Sequence, residues 1–136
     1  MTLVREAMVP DPASLPVSAS AQEAGELLAR PEVRAIFVCR DDQLVGVVTR
    51  KTLVREVVAP GRDPSSTQLG EIAEEPYLAI EGETPLEEAL ESLEEHDLER
   101  VPVVEDGRLV GVLARAVIQR RLAEDEPLAE SEDATD

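Results

Sequence analysis

Aromatic side chains are almost missing from this 136-residue chain, which has no tryptophan, one phenylalanine (Phe37) and one tyrosine (Tyr77). Its core must therefore be aliphatic, and it has few surfaces on which a nucleic-acid base can stack. A single cysteine, Cys39, excludes a disulfide or a cysteine-based zinc site within one chain. Lying in an apolar stretch, it reads as core packing. The one histidine, His96, falls where a helix should end, and has neither a partner nor an orienting group for metal or catalytic work. No apolar run reaches membrane-spanning length, and the amino-terminal MTLVREAMVP lacks the apolar segment of a signal peptide. The expectation is a cytoplasmic protein with no membrane contact.

Positive charge is scarce too. Thirteen bases face 30 acids, for a net charge of −17. Residues 1–68 are nearly balanced, with nine acids and eight bases, whereas residues 69–136 hold 21 acids and five bases. Such a second half repels nucleic acid. The last stretch, Glu124 to Asp136, carries seven acids among Pro, Ala and Ser, and residues 127–136 are expected to form a disordered acidic tail. With 43% apolar residues, the remainder suits one globular module.

What is present is a repeat. QLVGVVTRKTLVREVV at residues 43–58 returns as RLVGVLARAVIQRRLA at 108–123, an offset of 65 that carries Leu44 to Leu109, Gly46 to Gly111, Arg50 to Arg115 and Arg55 to Arg120. Upstream, the same offset takes Glu6 to Glu71, Val38 to Val103 and Asp41 to Asp106. Two copies of one unit, neither able to bury its apolar face alone, predict a single pseudo-symmetric module. The boundaries read as a first repeat at 1–60, a linker at 61–68 rich in Gly, Pro and Ser, and a second repeat at 69–126.

Each copy gives the order β-α-β-β-α. A short extended stretch leads to a helix start, Ser20-Ala21-Gln22-Glu23 in one copy and Thr84-Pro85-Leu86-Glu87 in the other, both with capping-box spacing. Leu86, Ala89, Leu90 and Leu93 then share an apolar face, as do Ala24, Leu27 and Leu28. Two apolar runs follow, joined by Asp41-Asp42 or Asp106-Gly107; the second is a strong two-residue hairpin signal. A last helix opens near Arg50 or Arg115. It presents Leu53, Val54, Val57 and Val58 in the first copy, and Val117, Ile118 and Leu122 in the second.

The in-register repeat, Val4-Arg5-Glu6-Ala7-Met8 at its start, Val101-Pro102-Val103-Val104, and Leu-Val-Gly-Val at 44–47 and 109–112 make the chain resemble the tandem cystathionine-β-synthase (CBS) domain pair, or Bateman module. The resemblance covers nearly everything but the tail. It implies an α+β fold of two β-α-β-β-α repeats packed about a pseudo-twofold axis with two clefts between them. It also implies a homodimer, and a regulatory role in which an adenosine-containing ligand (AMP, ADP, ATP or S-adenosylmethionine) is sensed and the signal passes to a protein partner in trans. No cofactor is required by that role.

The nucleotide motif of such modules is Gly, two apolar residues, Thr or Ser, two variable residues and Asp. The first copy offers Gly46-Val47-Val48-Thr49-Arg50-Lys51-Thr52, which keeps the hydroxyl for a phosphate but places Thr52 where the ribose carboxylate would stand. The second reads Gly111-Val112-Leu113-Ala114-Arg115-Ala116-Val117 and keeps neither group. The implied ligand contacts are Thr49 and Thr52, with Val48, Arg50, Arg34, Ile36 and Tyr77. Each has a plainer reading beside it: Thr49 as a helix N-cap, the arginines and Lys51 as solvated surface, Tyr77 as a sheet-edge core residue, Phe37 as core.

Two further readings stay open. The acids Glu87, Glu88, Glu91, Glu94, Glu95 and Asp97 lie on one predicted helix, and hard cations such as Mg²⁺ prefer carboxylate oxygens, although a solvated face explains them as well. A module without ligand, serving only dimerisation or docking, would need none of these groups. No base–nucleophile pair or metal cluster is visible, so catalysis is not expected.

Overall fold

Both copies fold into the same run of elements in the computed structural model, which describes residues 1–124. The first contributes helix α1 (Val4–Ala7), β1 (Val9–Pro10), β2 (Ser14–Pro16), α2 (Ala21–Leu28), β3 (Ile36–Arg40), β4 (Gln43–Val48) and α3 (Arg50–Leu53), which runs on through a π-helical turn at Val54–Val58. The second contributes α4 (Leu69–Ile72), β5 (Ile80–Glu81), α5 (Leu86–Glu95), β6 (Arg100–Glu105), β7 (Arg108–Ala114) and α6 (Arg115–Glu124). This is the α+β class the sequence implies. The tail expected at 127–136 lies outside the described residues.

The two hairpins are built alike. Asp41 and Asp42 have φ of 50° and 71°, and Asp106 and Gly107 have 55° and 81°. Two consecutive positive φ values make the tight turn whose twist matches that of paired strands. Phe37 pairs with Val47 and, 65 positions on, Pro102 pairs with Val112; both ladders slip by one residue at the same place, after Val38 and after Val103.

The hairpins meet in one sheet of order β2-β3-β4-β7-β6-β5. Its centre is a single pairing, Gln43 with Arg108, two residues that are each other's repeat counterparts. The bonds beside it are reciprocal: Leu44 N–H donates to the Gly107 carbonyl (3.0 Å) and Leu109 N–H to that of Asp42 (3.3 Å). A residue paired with its own counterpart marks the pseudo-twofold axis.

Helix starts differ from the sequence pattern in one copy. Ser20 and Glu23 form the expected capping box on α2, with Glu23 N–H 3.1 Å from the Ser20 hydroxyl. On α5 the helix begins after Pro85 with no side-chain cap, so Thr84 and Glu87 do not make theirs. The N-cap place, equivalent to Ser20, is held by Pro85, which has no side-chain acceptor; backbone bonds hold the turn, with Leu86 N–H donating to the Thr2 carbonyl (3.0 Å) and the Thr84 carbonyl accepting from Val4 N–H (2.8 Å). The same exchange joins Ala21 to Thr67 and Leu69 to Ala19 at the other end, each at 2.8 Å.

Those bonds show where the short leading arms go. Val4 and Ala7 of α1 are buried with Ile80, Leu86, Leu93, Leu113 and Ile118 of the second copy. Leu69 and Ile72 of α4 are buried with Leu28, Ile36, Val38, Val48 and Val57 of the first. Each repeat therefore lends its arm to the other's core. The arms then cross the partner hairpin, Val9 beside Val112 and Glu74 beside Val47. On α3, Val57 is buried, whereas Val54 and Val58 face outward at 57% and 69% exposure.

Candidate functional site

Alternation along the paired strands creates two faces. Ile36 and Val48 of one ladder pair, and Val101 and Leu113 of its counterpart, point into the two cores. Their neighbours Phe37, Val47, Pro102 and Val112 point the other way and together floor a cavity of about 320 Å³ between the repeats. Its walls are again symmetry pairs, Ala13 with Leu78 and Val33 with Leu98. The cavity thus straddles the pseudo-twofold axis. Its position follows from burying only one face of each hairpin against helices.

Polar groups gather at the rim. Arg34 and Arg100 line it with Glu32, and Tyr77 stands at the mouth, 83% exposed. Neither guanidinium has an ion-pair or hydrogen-bond partner among the described residues. The repeat counterpart of Arg34 is Glu99, whose carboxylate lies 3.6 Å from Arg115 instead. Arg100 stands where the first copy has Ala35, so the rim carries positive charge from both repeats at non-equivalent positions. An apolar slot with two unpaired cations and an exposed ring suits a flat, partly apolar anion.

The residues expected to hold a ligand divide accordingly. Arg34 and Tyr77 are at the cavity; Tyr77 is not a core residue, because its ring leaves the sheet edge for solvent. Ile36 and Val48 are fully buried in the first core, with 0% exposure, and do not line the cavity. The strand period moves that role by one residue to Phe37 and Val47. Arg50 points away as well, its guanidinium donating to the Arg30 carbonyl at 2.7 Å. Arg100 was not anticipated from the sequence; the signal for it is its place directly before Val101-Pro102, at the rim end of β6.

Thr49 and Thr52 face each other across the start of α3. Thr52 N–H donates to the Thr49 hydroxyl (3.3 Å), Thr49 N–H donates to the Thr52 hydroxyl (3.0 Å), and the two oxygens are 3.1 Å apart. Thr52 is buried, and its hydroxyl donates at 2.7 Å to Glu74, whose carboxylate also accepts from Arg55. Neither threonine lines the cavity. In the second copy the same places hold Ala114, Val117, Val9 and Arg120, so this polar cluster occurs once.

Gly46 and Gly111 have a reason other than ligand approach. A Cβ on Gly46 would lie 2.7 Å from that of Ala73, and one on Gly111 would lie 2.6 Å from the Met8 sulfur and 2.9 Å from the Val9 carbonyl. The glycines let the arms cross.

The remaining candidates carry less. The acids of α5 are all exposed, and no group of three or more His, Cys, Asp or Glu suited to a metal occurs among the described residues. Partial burial, with Asp42 nearby, raises the Cys39 thiol above its ordinary range, so the neutral form is favoured. The His96 Nδ1 lies 2.9 Å from the Ser92 carbonyl, closing α5.

Comparison with known proteins agrees with this architecture. The CBS domain model matches twice, over residues 4–59 and 69–124. Hypoxic response protein 1 of Mycobacterium tuberculosis is 33% identical over 102 residues, 74% of this chain and 71% of that protein. A crystal structure of Hypoxic Response Protein I with two coordinated zinc ions superposes with a TM-score of 0.77 at 30% identity, covering 89% of this chain and 99% of the other. The crystal structure of CBSX2 in complex with AMP gives 0.73 at 28% identity, over 90% and 96%.

Proposed function

Because the chain belongs to the CBS-domain family as a tandem pair, a regulatory module, we propose that it senses an adenine nucleotide or related adenosyl ligand in the cavity between its repeats. The observation that carries this reading is the pair of guanidinium groups, Arg34 and Arg100, without partners among the described residues, on a mostly apolar cavity whose lining acid is Glu32. Phe37, Val47, Pro102 and Val112 offer faces for the base, Tyr77 covers it from the mouth, and the arginines take the phosphate. The AMP complex of CBSX2, a protein of the same architecture, supports the ligand class. S-adenosylmethionine presents the same base with a carboxylate in place of phosphate. Thr49 and Thr52, whose hydroxyl hydrogens are spent within the chain, hold α3 in place and do not touch the ligand.

The module works without catalysis, by changing the surface it shows to a protein partner in trans. It acts in the cytoplasm, and as a homodimer. The outward Val54 and Val58 of α3 supply the apolar contact for self-association. No helix among the described residues is long and apolar enough to cross a membrane. The excess of acid in the second half disfavours nucleic acid.

The test is the melting temperature against AMP, ADP, ATP and S-adenosylmethionine, for wild type and for Arg100→Ala, Tyr77→Ala and Thr49→Ala. A ligand at 100 times its dissociation constant adds about 2.7 kcal/mol, a shift of several degrees for a chain of this size. The shift is expected to disappear in Arg100→Ala, weaken in Tyr77→Ala and persist in Thr49→Ala, which loses about 1 kcal/mol of stability with its cap. A shift lost only in Thr49→Ala would move the site to the start of α3, and a flat panel would favour a ligand-free docking module.

A further inference from the structure

The cavity has a symmetric floor and an asymmetric rim. Phe37 with Pro102, Val47 with Val112 and Val33 with Leu98 are repeat counterparts, and all are apolar. No charged position is repeated. Arg34 and Arg100 line the rim from places whose counterparts are Glu99 and Ala35, and Glu32 lines it from a place whose counterpart is Asp97. Glu99 and Asp97 are not part of the lining; their carboxylates lie 3.6 and 3.9 Å from Arg115. The loops explain the difference. Asp97 turns with a φ of 54° after His96, whereas Glu32 follows Pro31 and makes no left-handed turn. The two acids therefore leave the backbone in different directions.

Glu32 is thus the one acid among the residues lining the cavity, against two bases. It stands two residues from Arg34, yet its carboxylate has no ion pair or hydrogen bond among the described residues. The rim carries a net single positive charge, from three groups that are all left for a ligand. One phosphate or one carboxylate satisfies the two guanidinium groups. A second and a third phosphate find no further base in the lining, and the apolar floor offers them nothing. They extend past the rim, where Glu32 repels them and where a chain of net charge −17 lies beyond.

We propose that Glu32 is a specificity-determining residue that restricts the cavity to ligands with a single anionic group and rejects nucleoside di- and triphosphates. This rests on the nucleotide reading of the cavity and narrows it. The arginines attract any of these anions; the acid beside them counts the charges.

Calorimetric titration of the full chain with AMP and with ATP tests this, at low ionic strength and in EDTA so that no divalent cation masks the phosphates. AMP is expected to bind about tenfold more tightly than ATP. Glu32→Gln keeps the size of the side chain and removes its charge, and is expected to lower that ratio by roughly threefold or more, through tighter ATP binding. Glu87→Gln makes the same change of net charge on the exposed face of α5, outside the cavity, and leaves the ratio where it was. Equal wild-type affinities for the two nucleotides would overturn the proposal, as would a ratio that both variants lower alike. AMP binding with a ratio unmoved by Glu32→Gln overturns the narrowing alone, whereas binding of neither nucleotide overturns the nucleotide reading and the narrowing with it.

Discussion

At Gly46 the missing side chain is a matter of space between two backbones. The arm of the second repeat passes so close that a methyl group would press on the Ala73 Cβ and sit 3.2 Å from the Glu74 carbonyl. Neither obstacle is a flexible side-chain end. Gly46→Ala is therefore expected to destabilise the fold by about 1–3 kcal/mol, the range for overpacking, with the urea midpoint as the readout. A change of only a few tenths would mean that the arm lifts away freely. At this scale the sequence was a good guide to residue type and a poorer guide to facing. That β3 and β4 carry an apolar cleft wall was legible, but which members of Ile36-Phe37 and Val47-Val48 meet it was not. Both faces of these strands are apolar, so the alternation that normally tells inside from outside is missing. Tyr77 was hard for the opposite reason, since exposure of a lone ring leaves no periodic trace.

Helices and hairpins, by contrast, were written locally. The capping box at Ser20, the Asp106-Gly107 turn and the apolar spacing of α5 each specify their element from within a few residues. The exchange of arms was not legible, because both arms have the same pattern and either core would accept either of them. The structure decides it through α4, whose Leu69 is fully buried in the first copy's core although it belongs to the second repeat. Leu69→Ala is expected to cost about 2–5 kcal/mol. Hydrogen exchange should show the loss first in α2, around Ala24 and Leu28, and later in α5. The reverse order would place α4 on the wrong core. Near the same arm, the Gln68 amide and then Arg62 hold the Glu71 carboxyl below the usual carboxylate range. That contribution is present above the unfolded carboxylate pKa and fades as the pH falls through the lower folded value.

Among the described residues the acidic exterior carries an apolar pair one helical turn apart, Val54 and Val58 on α3, besides the exposed Met1, Val9, Val45 and Tyr77. With a net charge of −17, copies repel one another at low salt, so association through that spot should strengthen as ionic strength rises. Sedimentation is expected to show a dimer at moderate salt that Val58→Glu converts to monomer with unchanged melting temperature. A Val58→Glu protein that remains dimeric would place the interface elsewhere. The arm exchange also has a meaning in time. Val4 leaves the ribosome well before its partners, which extend to Ile118. At the usual pace of synthesis it waits roughly 5–25 s, exposed, for a pocket that has not yet been made. The nascent repeat pair therefore makes its hook before its eye, and cannot latch until the last helix of the second repeat has been made.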